Sequence, residues 1–153
     1  MYVPLHLRII FDINKGKAVV ATENIRQGEL VCELFFDSIR HFSLGISIQV
    51  DADVSLHNIL DTIDDIFNHI CEPTTRLDAK RAEFLAIRDI MPGEEITWNY
   101  LTTEYDLVVN GNDFDCKCGF PRCYGQIRGF KYLSEQQKKE SILVCILENN
   151  ALS

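Results

Sequence analysis

Basic residues are scarce in this chain. Lysine and arginine number 15 against 23 aspartates and glutamates, which leaves a formal net charge of −8. A surface of that sign repels a phosphate backbone, so direct nucleic-acid binding is disfavoured and a Lys- or Arg-rich protein or peptide becomes the natural partner. Long apolar runs are missing too: none approaches the roughly 20 residues that cross a bilayer. The opening Met1-Tyr2-Val3-Pro4-Leu5-His6 is not a signal peptide. The expectation is an intracellular protein, in the nucleus of a eukaryote or the cytoplasm of a prokaryote. Low-complexity tracts, Pro/Ser-rich linkers and internal repeats are also lacking. With 46% hydrophobic and 25% charged residues over 153 positions, the chain reads as one soluble, globular domain with a core of its own.

Cysteine is concentrated instead. Three thiols crowd Cys116-Lys-Cys118-Gly-Phe-Pro-Arg-Cys123, and Cys71 stands apart in Asn68-His69-Ile70-Cys71-Glu72-Pro73. In a reducing compartment such clusters bind metal more often than they cross-link, and a Cys-x-Cys disulfide is strained. A structural zinc takes four ligands in a closed tetrahedron. Cys71 completes the set only if the fold returns the tail to the Asn68-His69 loop. Cys32 and Cys145 lie in apolar runs and are expected to be buried small hydrophobes.

The acidity is uneven. Asp37, Asp51, Asp53, Asp61, Asp64 and Asp65 face only Arg40 as a full positive charge in that stretch. A solvated acidic face is the plain interpretation, and a docking strip for a cationic substrate is the sharper one.

Short strands and turns dominate the first two thirds. β-rich runs at Leu5 to Phe11 and Ala18 to Ala21 flank Asn14-Lys15-Gly16-Lys17, a hairpin connection. Further strands are expected at Leu30 to Phe36, Ser47 to Val50, Glu83 to Ile87 and Glu95 to Trp98, with turns at Met91-Pro92-Gly93-Glu94 and Asn110-Gly111. Helical spacing of Leu56, Ile59, Leu60, Ile63 and Phe67 predicts one short helix over Leu56 to Phe67. Ser134 and Gln137 form a capping-box pattern that opens a helix from Glu135 to about Asn149. Its face of Ile142, Leu143, Cys145, Ile146 and Leu147 is expected to pack on the protein's own core rather than in a dimer.

Gly16-Lys17-Ala18 through Ile25, Phe67-Asn68-His69-Ile70-Cys71-Glu72-Pro73, and Arg88-Asp89-Ile90-Met91-Pro92-Gly93-Glu94-Glu95-Ile96-Thr97-Trp98-Asn99-Tyr100 follow one another in that order. Together with the Cys116 to Ile127 tail they resemble the SET-domain protein lysine methyltransferases with a post-SET zinc segment, over about residues 8 to 130. The resemblance implies a mainly β, β-clip fold of small curved sheets. In it the C-terminal segment threads beneath an earlier loop in a pseudoknot-like crossing, bringing Asn68-His69 beside Tyr100. It implies a division into a SET domain (1–108), a post-SET zinc segment (109–130) and a C-terminal helix on the same body (131–153). The activity implied is S-adenosylmethionine-dependent methylation of lysine in a basic protein such as a histone.

Residue by residue, the resemblance makes Tyr100 catalytic and assigns Gly16, Lys17, Ala18, Asn68 and His69 to the donor. It gives Trp98 to the substrate channel and Cys71, Cys116, Cys118 and Cys123 to a structural zinc. Five departures stand out, the first being Ile70 where the usual Asn-His-Ser-Cys has serine. Ala18 replaces the second glycine of the usual Gly-x-Gly and would crowd the donor's carboxylate unless the backbone there has negative φ. Asp65 stands where arginine is usual, and Thr74 follows Pro73 in place of asparagine. Trp98 replaces the usual Tyr or Phe, which predicts a tight channel and monomethylation. A module that has lost transfer activity and binds basic peptides is the alternative. A zinc-ribbon nucleic-acid binder fits neither the charge nor the Gly93 to Tyr100 segment.

Overall fold

The computed structural model describes residues 1–34, 36–40, 47–51, 54–58, 63–78 and 80–140. In chain order the strands of the first half are β1 (Leu7–Asp12), β2 (Gly16–Ala21), β3 (Leu30–Glu33), β4 (Phe36–Arg40), β5 (Ser47–Asp51) and β6 (Val54–Asn58). Those of the second are β7 (Asn68–His69), β8 (Thr75–Asp78), β9 (Glu83–Ala86), β10 (Thr97–Trp98), β11 (Phe114–Asp115) and β12 (Gln126–Ile127), followed by helix α1 (Glu135–Glu140). The chain divides into two compact units, Met1–Phe35 with Ile59–Trp98, and Phe36–Asn58 with Asn99–Ser153.

In the first unit the turn chemistry sets the hairpin. Asp12 Oδ1 accepts from the backbone N–H of Asn14 at 2.7 Å and of Lys15 at 3.0 Å, and Gly16 takes φ +82°. β1 and β2 then pair antiparallel from Asp12 opposite Gly16 to Leu7 opposite Ala21. The outer edge of β2 is occupied by the segment before β10: Ala21 N–H donates to Glu94 O at 3.0 Å, and Ile96 N–H donates to Val19 O at 2.8 Å. The turn that starts this segment is closed by Glu94 N–H to Met91 O at 3.0 Å. β3, β9 and β8 form a second antiparallel sheet in that order, with a bulge between Leu30 and Cys32.

The core of this unit includes Val19, Val31, Phe67, Leu77, Phe84, Ile90 and Ile96. Phe84 bridges two aromatic partners edge-on, Phe67 at 5.3 Å and Trp98 at 5.0 Å between ring centroids. Burying each ring is worth about 2–3 kcal/mol, and each edge-to-face pair about 1 kcal/mol more. Hydroxyls satisfy the polar backbone where strands end. Thr74 Oγ1 accepts from Thr97 N–H at 2.9 Å, and Thr75 Oγ1 donates to Thr97 O at 2.8 Å.

In the second unit β4, β6 and β5 make an antiparallel sheet with β6 central. A 3₁₀ turn at Tyr100–Thr102 is opened by Asn99, whose Oδ1 accepts from Leu101 N–H at 3.1 Å. The stretch after it runs beside the tail: Leu107 N–H donates to Arg128 O at 2.9 Å and Phe130 N–H to Glu104 O at 2.9 Å. The approach is close at Gly129, φ +112°, where a Cβ would collide with the carbonyl oxygen of Tyr105. Asp106 ties the same stretch down, accepting from Lys131 Nζ at 2.9 Å and Tyr132 Oη at 3.1 Å. The capping box ahead of α1 is reciprocal: Ser134 N–H donates to Gln137 Oε1 at 2.9 Å, and Gln137 N–H to Ser134 Oγ at 3.2 Å.

The helix predicted over Leu56 to Phe67 is not formed as such. Leu56 lies in β6, which exchanges backbone hydrogen bonds on both sides, and among the described residues of this stretch Ile63–Ile66 forms a single 3₁₀ turn. Pairing from two neighbours outweighs a helical spacing that runs across two separate elements. α1 is described to Glu140; the rest of its predicted length, with Cys145 and the apolar face, lies outside the described residues.

Candidate functional site

In the second unit, the sulfur atoms of Cys116, Cys118 and Cys123 all lie within 4.8 Å of one another. Thiolates around a zinc at about 2.3 Å stand roughly 3.8 Å apart, a spacing compatible with this trio as part of a metal-ligand set. None of these thiols is in a disulfide. Gly125 N–H donates to Cys123 Sγ at 3.4 Å, and outer donors of this kind spread the charge on a ligating sulfur. Cys116 N–H also donates to Gly125 O at 2.6 Å, which closes the loop that carries the trio. Cys32 is buried as expected, and burial pushes its thiol far above the usual range.

Within the first unit, β7 runs parallel to β10 with Asn68 opposite Thr97 and His69 opposite Trp98, and Ile70 N–H donates to Trp98 O at 3.2 Å. The Asn-His pair is thus fixed against the last residues of the Gly-Glu-Glu-Ile-Thr-Trp run. Asn68 also reaches the start of β2: its Nδ2 donates to Lys17 O at 3.1 Å and to Glu95 Oε1 at 2.8 Å. Glu95 Oε2 is in turn paired with Lys15 Nζ at 2.6 Å. Three segments far apart in sequence meet on one amide. Burial pushes the His69 imidazole down to about 4, so the ring is neutral at physiological pH. Its Nε2 lies 3.5 Å from Cys71 Sγ.

Trp98 is buried, with its ring edge-on to Phe84. In the second unit, Tyr100 opens the 3₁₀ turn and packs edge-on to Phe114 at 6.0 Å between centroids.

Residues 16–101, more than half of the chain, match the SET domain family model. The chain belongs to the SET domain family. It is 29% identical to the variant-silencing SET domain-containing protein of Plasmodium falciparum, over 71% of this chain and 5% of that one. With methyltransferase flvH of Aspergillus flavus it shares 32% identity over 54% of this chain and 45% of the relative. The H3 lysine-9 specific histone-lysine N-methyltransferase KMT1 of Fusarium mangiferae is 28% identical over 57% of this chain and 28% of its own. The chain therefore spans less than half the length of these curated relatives. KRYPTONITE, solved with mCHG DNA and SAH, superposes with a TM-score of 0.63 at 24% identity over 78% of this chain and 28% of that one. A second KRYPTONITE complex, with mCHH DNA, H3(1–15) peptide and SAH, gives 0.60 at 23% identity, again over 78% of this chain and 29% of that one. The likeness at this identity is one of fold: small sheets, mostly strand, with a short C-terminal helix.

Two expectations about this SET domain need adjusting. Ala18 carries no backbone strain: among the described residues Ala82 is the one non-glycine with positive φ, and Ala18 sits in regular register opposite Ile10. Asp64 is buried, so it cannot belong to an exposed acidic strip, whereas Asp65 is exposed. The side chains of Asp37 and Asp51, and residues Asp53 and Asp61, lie outside the described residues. Sequence reasoning also missed Glu95 and Lys15. Glu95 stood inside the quoted motif, but nothing in the sequence tied it to Asn68. Lys15 read simply as a hairpin residue.

Proposed function

We propose that this chain is an S-adenosylmethionine-dependent protein-lysine N-methyltransferase that acts on a basic protein, with a histone tail as the fitting substrate class. The observation that carries the proposal is the side-by-side pairing of Asn68-His69 with Thr97-Trp98 inside the span matched by the SET domain family. The SAH and H3 peptide in the KRYPTONITE complexes support the donor and substrate classes, since SAH is what the donor becomes after losing its methyl. Those complexes also hold DNA. A net charge of −8 argues for a cationic peptide as this chain's own partner.

The bound donor supplies an electrophilic methyl on a sulfonium sulfur. Gly16, Lys17, Ala18, Asn68 and His69 would hold it, with Asn68 at its amino-acid end. Tyr100 would orient the incoming lysine amine by its hydroxyl and stabilise charge near the methyl. A phenol with a pKa of about 10 suits orientation better than proton abstraction. A free lysine, with a pKa of about 10.4, is mostly protonated at neutral pH. Entry into a narrow apolar channel beside a cation lowers that value and exposes the lone pair. Alignment of amine and methyl then contributes several kcal/mol, about 7–11 at most. Trp98 would line the channel and limit the methyl count. Cys71, Cys116, Cys118 and Cys123 would hold a structural zinc with no part in the chemistry.

The test is transfer from labelled S-adenosylmethionine to a mixture of histones and other basic proteins, with Tyr100→Phe in parallel. We expect labelled methyl-lysine with the native chain and a loss of at least about 100-fold in Tyr100→Phe with donor affinity kept. Donor binding without transfer to any lysine would turn the assignment to a peptide-binding module.

A further inference from the structure

The Asn68 amide is oriented by two groups that can only accept. Lys17 O is a carbonyl and the Glu95 side chain is a carboxylate, 3.1 Å and 2.8 Å from the same Asn68 nitrogen. An amide oxygen facing either would meet lone pair with lone pair, so both N–H bonds must point this way and Oδ1 must point the other. No described residue donates to Oδ1. Glu95 is itself fixed from behind: Lys15 Nζ sits 2.6 Å from its second oxygen, and its backbone is bridged antiparallel to Val20 of β2. The carboxylate is therefore not a free surface charge. It is clamped between a cation and an amide.

We propose that Glu95 is a positioning residue for methyl transfer. Clamped by Lys15, it locks the Asn68 amide so that Oδ1 faces outward as an acceptor for a cationic ligand group, the α-ammonium of the donor. This rests on the function proposed above. It adds that donor affinity is set by a pair of residues that do not touch the donor, and that the affinity resides in recognition of one ammonium. Without Glu95, Lys17 O alone holds the amide, which can then turn its N–H₂ toward the ammonium and repel it.

The experiment measures binding of S-adenosylhomocysteine and of its analogue lacking the α-amino group by calorimetry, on native protein, Glu95→Ala, Glu95→Gln and Lys15→Met. Native protein should prefer the amino-bearing ligand by at least about tenfold, as expected for a charge-assisted hydrogen bond. Glu95→Ala should weaken S-adenosylhomocysteine by about the same factor while leaving the analogue unchanged, so that the preference collapses. Glu95→Gln, whose Oε1 still accepts from Asn68, should recover most of the preference, and Lys15→Met, at an exposed position, should lose part of it. In transfer assays the Glu95→Ala loss should fall on KM for the donor rather than on kcat. A preference retained in Glu95→Ala, or an equal loss for both ligands, overturns the positioning role and leaves the enzyme reading intact. If native protein binds neither ligand, both readings fall.

Discussion

Gly125 donates its backbone N–H to Cys123 Sγ at 3.4 Å, two residues past the last cysteine of the trio and at φ +74°. An outer N–H of this kind spreads charge on the sulfur of a ligated thiolate. Natively purified protein should therefore carry about one zinc per chain by elemental analysis. Cys118→Ser or a strong chelator should remove it and lower stability by several kcal/mol, because metal binding is here part of folding. Cys32→Ala should keep its zinc. Metal-free native protein with an unchanged melting temperature would refute the centre.

What the sequence made legible was chemistry tied to position. The Cys-x-Cys-x₄-Cys spacing, the Gly93 turn and the Ser134/Gln137 box each need particular atoms at fixed offsets, and each is formed. Elements defined by pairing were harder. β8 reads Thr-Arg-Leu-Asp, with Leu77 as its one aliphatic side chain, and is held by β9 rather than by propensity. Leu56 matched a helical period by coincidence and went to a strand. The residues proposed to hold the donor were legible as a motif, yet the clamp on Asn68 was not. It depends on Lys15 and Glu95, 80 positions apart, and no local pattern carries that distance.

At Gly129 the tail lies tight against the stretch after Tyr100. Its φ of +112° is open to glycine alone, and any Cβ would strike the Tyr105 carbonyl. Gly129→Ala should cost about 2 kcal/mol or more, since neither strain nor collision can relax without parting Leu107 from Arg128 and Phe130 from Glu104. Urea unfolding measures it. An effect below about 0.5 kcal/mol, the size of an ordinary surface change, would contradict this account.

Trp98 is buried edge-on to Phe84, and the indole is larger than the Tyr or Phe usual at its position. If it narrows the lysine channel, native enzyme should stop at monomethyl-lysine. Trp98→Phe should allow the second methyl at a stability cost of about 1–2 kcal/mol from the smaller ring. Mass spectrometry of a peptide product over time reads the ratio directly. Dimethyl and trimethyl product from the native enzyme would exclude this role for the indole.

Glu104 ends the turn that begins at Tyr100, donating its N–H to Tyr100 O at 2.7 Å, and desolvation pushes its carboxyl up to about 8. A raised value means that the folded state binds the proton more tightly than the unfolded chain. The associated stability is complete below the ordinary carboxyl range near 4.5 and is lost as pH climbs through about 8. Between pH 6 and pH 8 the loss approaches about 2–3 kcal/mol, at up to 1.36 kcal/mol per pH unit. Glu104→Gln keeps the shape and cannot ionise, so its stability should fall less across that window. Subtracting the two urea-unfolding profiles cancels contributions from histidines and metal ligands, which both proteins share. The difference should widen in favour of Glu104→Gln as pH rises. A difference that is flat from pH 6 to pH 8 would mean that the Glu104 carboxylate is solvated and ionised throughout, and that the turn after Tyr100 is open to water.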